Sequence, residues 1–367
     1  MSHLQVLRMD EGHRERWNNF VAQAPHFALM QSYEWGEFKE RLGWKAVRLA
    51  AKRGGEIVAL AQLLIKRFPL GLFSVGYVPR GPLVDWQDGE TTAALLDALH
   101  GEAWRHRAVF VKIEPPLLNS PVADCRLRQC GFQVSRYTNQ PRATIVLDLS
   151  PGLNQVLAQM HQKTRYNIRY AARKEITIRV GGREDLAAFY RLMQATGRRA
   201  GFTPRSLDYY RCLWETFDPS QRIRLFAASY RGEILAFNVS AIFGEHAVFL
   251  HGASSDRHRN LQPNYLLMWK AIRWAKSQNC STFDLWGIPD EVGQAVYEGE
   301  GLPVPDRTDG LWGVYRFKRG FSNTIKYYIG AYDCVYSLLL YRLITNRLFN
   351  QDVLDRIAVW MDWLKNP

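Results

Sequence analysis

The sequence predicts an α+β protein made of two look-alike domains in tandem, each a twisted mixed sheet flanked by helices. Three observations lead there. The chain has 367 residues, beyond the size at which one hydrophobic core usually keeps growing, and its 47% apolar fraction can fill two cores. RGGEIVALAQLL at 53–64 returns as YRGEILAFNVSAIF at 230–243, with Gly55 and Gly232 lying 177 residues apart. The segments that follow each copy then come in the same order.

In the first copy, Gly55 turns a hairpin, a place where a missing side chain permits positive φ. LFSVGYV (72–78) reads as an apolar strand, TAALLDALHGEAWRH (92–106) as a helix and AVFVKIEPP (108–116) as a buried strand. The second copy repeats the hairpin, then HAVFLHGASS (246–255), a helix opening at Pro263 and the strand STFDLWGIP (281–289). Proline suits the first helical turn, where its missing N–H goes unused. GEI[VL]A alone is an ordinary hairpin turn; the order of later elements makes it a repeat.

Lys and Arg outnumber Asp and Glu by 48 to 35, a balance of +13 that favours polyanionic partners: nucleic acid, phosphorylated substrates or an anionic membrane surface. The five cysteines form no CxxC pair or Cys/His cluster, so neither a disulfide framework nor a zinc site is expected. The opening segment lacks the apolar run of a secretory leader, and no uncharged run reaches the roughly 18 residues of a membrane span, which points to a cytosolic protein.

The element order is that of the acyl-CoA N-acyltransferase (GNAT) fold. Such folds bind the cofactor pyrophosphate on a glycine-rich loop opening the central helix. The corresponding loops here, SSDRHRNLQPNYLL and VPRGPLVDWQDGETTAALL, lack closely spaced glycines, so the acyl group is expected on a carrier other than CoA. LMQSYEWGEFKERLGW (29–44), GYVPRGPLVD (76–85), KTRYNIRYAARK (163–174), FLHGASSDRHRNLQPNYLLMWKAIRWAK (249–276), FDLWGIPD (283–290) and GVYRFKRGF (313–321) together resemble the FemABX peptidyltransferases. The resemblance implies two GNAT-like domains, the second inserted in the first. Residues 1–145 plus 318–367 would form the muropeptide-accepting domain with C-terminal helices, and 146–317 the aminoacyl-tRNA side. It implies transfer of an amino acid from aminoacyl-tRNA, a co-substrate with no further cofactor or metal, onto the stem-peptide amine of UDP-MurNAc-pentapeptide or lipid II. Residues 146–317 show no sustained heptads, so no long coiled-coil arm is expected.

By that resemblance Phe317 and Lys318 form the acyl-transfer pair. If GVYRFKRGF is a strand, alternation sets Arg316 and Lys318 on one face, where the lysine leans into an aromatic-rimmed cleft to meet a negative charge; a solvated edge-strand cation is the alternative. Asp85 would orient and help deprotonate the attacking amine, or simply fix its own turn. Lys39, after QSxxWGxxK, and Arg205 with Tyr209 would clamp the acceptor's phosphates. Tyr77 and Arg80 are cleft residues or turn residues. His251 stands where the family has a tyrosine, with a satisfied core histidine as the alternative. Arg165, Arg169 and Arg173 fall on one side of a helix, a basic stripe for tRNA phosphates or a solvated face. The tail from 331 reads as helical, and its Val353, Ile357, Trp360 and Leu364 would dock on the first domain or on a sister chain, or touch the membrane surface. Two rival readings are an acyl-CoA-dependent or other N-acyltransferase, and a non-catalytic RNA-binding protein. The first needs a pyrophosphate loop; the second gives no reason for Lys318 or Asp85.

Overall fold

A computed structural model of the chain describes residues 3–68, 71–218, 220–304, 306–307 and 309–347. In chain order the strands are β1 (Leu4–Arg8), β2 (Lys45–Arg53), β3 (Glu56–Arg67), β4 (Ser74–Val78), β5 (Ala108–Ile113), β6 (Gln133–Val134), β7 (Ala143–Asp148), β8 (Ile176–Val180), β9 (Ile223–Tyr230), β10 (Glu233–Phe243), β11 (His246–Ser254), β12 (Thr282–Gly287), β13 (Ile325–Tyr327) and β14 (Tyr332–Val335). The helices are α1 (Arg14–Ala22), α2 (Tyr33–Arg41), α3 (Gly89–Arg105), α4 (Pro121–Gln129), α5 (Leu153–Gln159), α6 (Gln162–Ala172), α7 (Leu186–Ala200), α8 (Leu207–Phe217), α9 (Pro263–Ser277), α10 (Asp290–Tyr297), α11 (Leu311–Lys318) and α12 (Leu338–Arg347).

Two sheets result, ordered β1-β2-β3-β4-β5-β14-β6 and β8-β9-β10-β11-β12-β7-β13. The repeat seen in sequence is therefore a repeat of pairing. In both sheets the fourth and fifth strands run parallel and their neighbours antiparallel. The sixth place is filled by exchange. The strand that follows β5 and β6 in the chain, β7, pairs with β12 of the second sheet, while β14, near the end, returns to pair with β5.

The compact units follow the pairing. The first comprises the described residues of Met1–Val21, Met30–Gln140 and Tyr328–Pro367, the second Ala22–Leu29 and Pro141–Tyr327. The crossings thus differ from the expected 145/146 and 317/318, because β7 and β13 complete the second sheet. Residues 318–327, Lys318 included, belong to the second unit. The short segment 22–29 is held there by His246, whose Nε2 lies 3.0 Å from the Ala24 carbonyl.

Each sheet carries its repeated helix. α3 turns Leu95, Leu96, Leu99 and Ala103 inward onto a core with Leu63, Val111 and Ile113. It starts earlier than the apolar pattern suggests because the Asp88 carboxylate caps it, accepting the Thr91 amide at 3.0 Å. α9 begins at Pro263 and buries Leu267, Met268, Ala271, Ile272 and Ala275 against Phe226, Phe283 and Leu285. Each such large apolar side chain contributes about 1.5–3 kcal/mol by leaving water.

Two expectations change. GVYRFKRGF is not a strand but most of α11. Its aromatics pair at helical spacing: Trp312 with Tyr315 at 5.8 Å and Phe317 with Phe321 at 5.1 Å between ring centroids. Tyr315 and Lys318, three residues apart, are its buried face. The tail from 331 is not helical throughout, since Tyr332–Val335 is β14 and the helix starts at Leu338. Val353, Ile357, Trp360 and Leu364 lie outside the described residues.

Candidate active site

In the second unit β11 and β12 are parallel neighbours for only three pairs, His246–Val248 with Thr282–Asp284. Both then leave register. β11 carries an extra residue, Leu250, between the partners of Val239 and Ser240, and β12 breaks from β7 between Asp284 and Gly287. Bulges of this kind re-aim side chains and often border functional sites. The break in β12 is held by Asp284, whose Oδ1 accepts the Trp286 amide at 2.7 Å. Trp286 itself sits at φ +67°, the left-handed region that a bulky residue rarely adopts.

α11 places Lys318 at this opening. The side chain is 3% exposed. Its Nζ donates to the Gly287 carbonyl at 2.7 Å and lies 5.7 Å from the Phe249 ring centroid, so it touches the ends of both parting strands. Phe317, Tyr265 and Phe321 pack around one another beside it, with Tyr265–Phe317 at 5.0 Å. The close fit of α6 requires Gly320, because a Cβ there would collide with the Thr164 hydroxyl. Burial pulls the Lys318 ammonium down to about 7, and the field of Asp284 opposes that fall only in part. A buried lysine offers three protons, and the one acceptor it has among the described residues is a neutral carbonyl.

Arg205, Tyr209 and His251 also come together. Ser206 caps α8, accepting the Tyr209 amide at 3.2 Å, which places Arg205 just ahead of the first turn. The Arg205 guanidinium is 5.7 Å from the Tyr209 ring, and Tyr209 and Tyr210 stand edge-on to His251 at 6.4 and 5.3 Å. Burial, helped by Arg205, holds His251 down at about 4, so its imidazole is neutral at pH 7.

The basic stripe of α6 is divided. Arg165 is spent on its own fold, donating to the Ala158 and Met160 carbonyls at 2.9 and 2.5 Å. Arg169 and Arg173 are exposed. Beside them Tyr166, 58% exposed, stacks on Tyr170 with centroids 5.9 Å apart.

In the first unit the motif around Lys39 resolves into physical parts. Gln31 donates to the Pro79 carbonyl at 2.6 Å and accepts the Gln62 amide at 2.8 Å, which pins the PRGP turn. Ser32 caps α2 through the Trp35 amide at 3.1 Å. Gly36 leaves room for Arg48 and Gln62, which any Cβ would strike. Lys39, half-buried, has its ammonium 5.6, 5.3 and 6.0 Å from the rings of Trp35, Phe38 and Trp44, a cation held on an aromatic wall.

Tyr77, Arg80 and Asp85 are occupied by the fold itself. Tyr77 is buried, bonds the Glu114 carboxylate and accepts Gln140 Nε2 at 2.9 Å. Glu114 also accepts the amides of Asn139 and Gln140, at 2.5 and 3.0 Å, and so ties down the segment leading out of this unit. Arg80 is buried at φ +48° with its guanidinium 4.5 Å from the Tyr328 ring. Asp85 is exposed and its carboxylate accepts the Gln87 amide at 2.9 Å, the turn-fixing alternative.

The sequence reading passed over Asp284, Phe249, Tyr265 and the Gly287 carbonyl. Asp284 had a signal of its own: an aspartate in the middle of an apolar strand, FDLWG.

Residues 13–123, all but 22–29 in the first unit, match the FemAB family, and residues 159–298, in the second, match a family described as an acetyltransferase (GNAT) domain. Among the relatives of the chain is the lipid II:glycine glycyltransferase of Staphylococcus aureus, 24% identical over 89% of this chain and 92% of that protein. The solved structure of FemX superposes with a TM-score of 0.80 at 22% identity, covering 93% of this chain and 99% of that one. A tandem GNAT protein from the clavulanic acid biosynthesis pathway superposes at 0.55 with 11% identity, covering 90% and 98%. The fold is thus a tandem GNAT fold with mixed sheets. No helix among the described residues is long and apolar enough to cross a membrane.

Proposed function

We propose that this protein is an aminoacyltransferase of peptidoglycan assembly that moves an amino acid from aminoacyl-tRNA onto the stem-peptide amine of lipid II. The observation that carries the reading is Lys318, a buried ammonium among aromatic rings whose one acceptor among the described residues is a neutral carbonyl. In the reaction the amine nitrogen attacks the ester carbonyl carbon, and the carbonyl oxygen becomes an oxyanion. Lys318 donates to that oxygen. The ester C–O bond to the tRNA ribose then breaks, the amide C–N bond remains, and the proton lost by the amine ends on the departing ribose oxygen. One preorganised donor of this kind is typically worth about 2.7–4 kcal/mol in the transition state. Because the resting ammonium titrates near neutrality, the growing negative charge on the oxyanion tightens its hold on its protons.

On the acceptor side, Arg205 and Tyr209 are proposed to grip a phosphate, and neutral His251 beside them offers a hydrogen bond to the amine. Lys39 supplies a further cation in the first unit. Exposed Arg169 and Arg173 are proposed to meet tRNA phosphates. Association of the protein with the inner membrane surface is proposed from the lipid-linked acceptor alone.

The CoA-dependent alternative meets two obstacles at the helix starts where pyrophosphate would sit. The N-terminus of α3 is filled by the Asp88 carboxylate, and α9 opens with Pro263, which has no N–H. Purified protein given lipid II with radiolabelled aminoacyl-tRNA, or with acyl-CoA, decides between them. Label appearing in lipid II from the tRNA alone supports the proposal; label only from CoA overturns it.

A further inference from the structure

The region that fixes Lys318 has a second member with no role in the reaction so far. Lys318 bonds the Gly287 carbonyl, and that carbonyl follows directly on Trp286, whose left-handed backbone costs energy unless something holds it. What holds it is the hydrogen bond from the Trp286 amide to Asp284 Oδ1, at 2.7 Å, across the gap where β12 loses register with β7. Asp284 is buried, and an aspartate in a strand core needs such a reason.

We propose that Asp284 is a positioning residue for Lys318: its carboxylate holds the Trp286 kink that turns the Gly287 carbonyl onto the ammonium, and its charge keeps that ammonium protonated. The second half follows from what surrounds the lysine. From β12 the charge of Asp284 acts on it; from β11 it meets the apolar Phe249, with His251 two residues further on; from α9 Tyr265, through Phe317; and on its own helix stand Arg316 and neighbouring Arg319. Among the described residues, Asp284 is the group whose negative field acts on Lys318. The kink and the field act together, since a carboxylate that let go of the Trp286 amide would free the Gly287 carbonyl as well.

Resting on the reading of Lys318 as the reactive cation, this assignment is tested with Asp284→Asn and Asp284→Ala. The asparagine keeps an oxygen for the Trp286 amide and loses the charge; the alanine loses both. In Asp284→Asn the alkaline limb of the kcat profile should move to lower pH with the acceptor KM within about twofold, because an ammonium without its carboxylate loses its proton sooner. In Asp284→Ala kcat should fall about tenfold further. Titration of Lys318 by NMR of ¹³C-lysine protein, assigned with Lys318→Met, reads the same shift without substrate. A wild-type midpoint in folded Asp284→Asn overturns the proposal even if transfer is active. A lowered midpoint supports it even if the protein proves inactive with aminoacyl-tRNA, so the two failures are separable. Should Asp284→Ala not fold, the Asp284→Asn titration still decides.

Discussion

The two units bury a lysine and an aspartate at the same level of the same sheet, and to opposite effect. Leu64 and Ala241, each nine residues after its repeated glycine, pair with Tyr77 and Val248, and these in turn with Lys112 and Asp284. In the first unit Lys112 donates to the Tyr137 carbonyl at 2.9 Å and to the Ser135 hydroxyl, and its ammonium lies 2.9 Å from the Asp333 carboxylate of β14, so its charge is paired. Asp333 is further bonded by Ser135 at 2.5 Å and Tyr341 at 2.8 Å. In the second unit Lys318 has a carbonyl and aromatic rings. A buried lysine whose partners are complete is cement, while one whose partners are incomplete has bonding capacity left for a substrate. The strands agree with this division: β4 stays paired with β5 to its last residue, whereas β11 and β12 part after three.

The sharpest way to break the comparison is to exchange each lysine for methionine. Lys112→Met strands Asp333 without its cation, and a broken buried pair costs about 3–5 kcal/mol, which urea unfolding should register. Lys318→Met should do the reverse, lowering kcat by about 2.7–4 kcal/mol of transition-state stabilisation while leaving stability equal or improved. If Lys318→Met unfolds the protein instead, the contrast between the two lysines fails.

A pH series sharpens it. The folded Lys318 titrates near 7, below the unfolded value of about 10.4, so between those values the unfolded chain holds more protons. Stability should therefore rise with pH across that window, and the rise should shrink in Lys318→Met. His251 works at the acid end in the same sense. Folded at about 4 against about 6.5 unfolded, it should make stability fall as pH drops through that range, and His251→Asn should flatten the fall.

Smaller effects are expected at the periphery. Arg205→Ala should weaken lipid II binding about tenfold, the loss of one charge-assisted contact, with kcat little changed; an unchanged affinity measured by isothermal titration calorimetry would remove it from the acceptor site. Asp85→Ala should leave turnover within about twofold, because the exposed carboxylate serves a turn. A hundredfold loss there would return Asp85 to the role of base.

The sequence by itself determined the repeat, the helices at α3 and α9 and the strands around them, because periodicity and turn chemistry are local and each copy checks the other. It also singled out Lys318, Arg205, Tyr209 and His251, through the likeness of their segments to a known family. Their surroundings were another matter. A run of aromatics alternating with cations suits a strand as well as a short helix, and the choice of helix for 311–318 fell to its packing through Tyr315 and Lys318. Which strand fills the sixth place of each sheet is a long-range decision that no window of residues contains. The fates of Tyr77, Arg80 and Asp85 followed from partners distant in sequence or from the turn's own geometry. Tertiary structure alone decided that one buried lysine would lie against a carboxylate and, among the described residues, the other against a carbonyl, since a proton's partners are set by whichever distant group comes within about 3 Å of it.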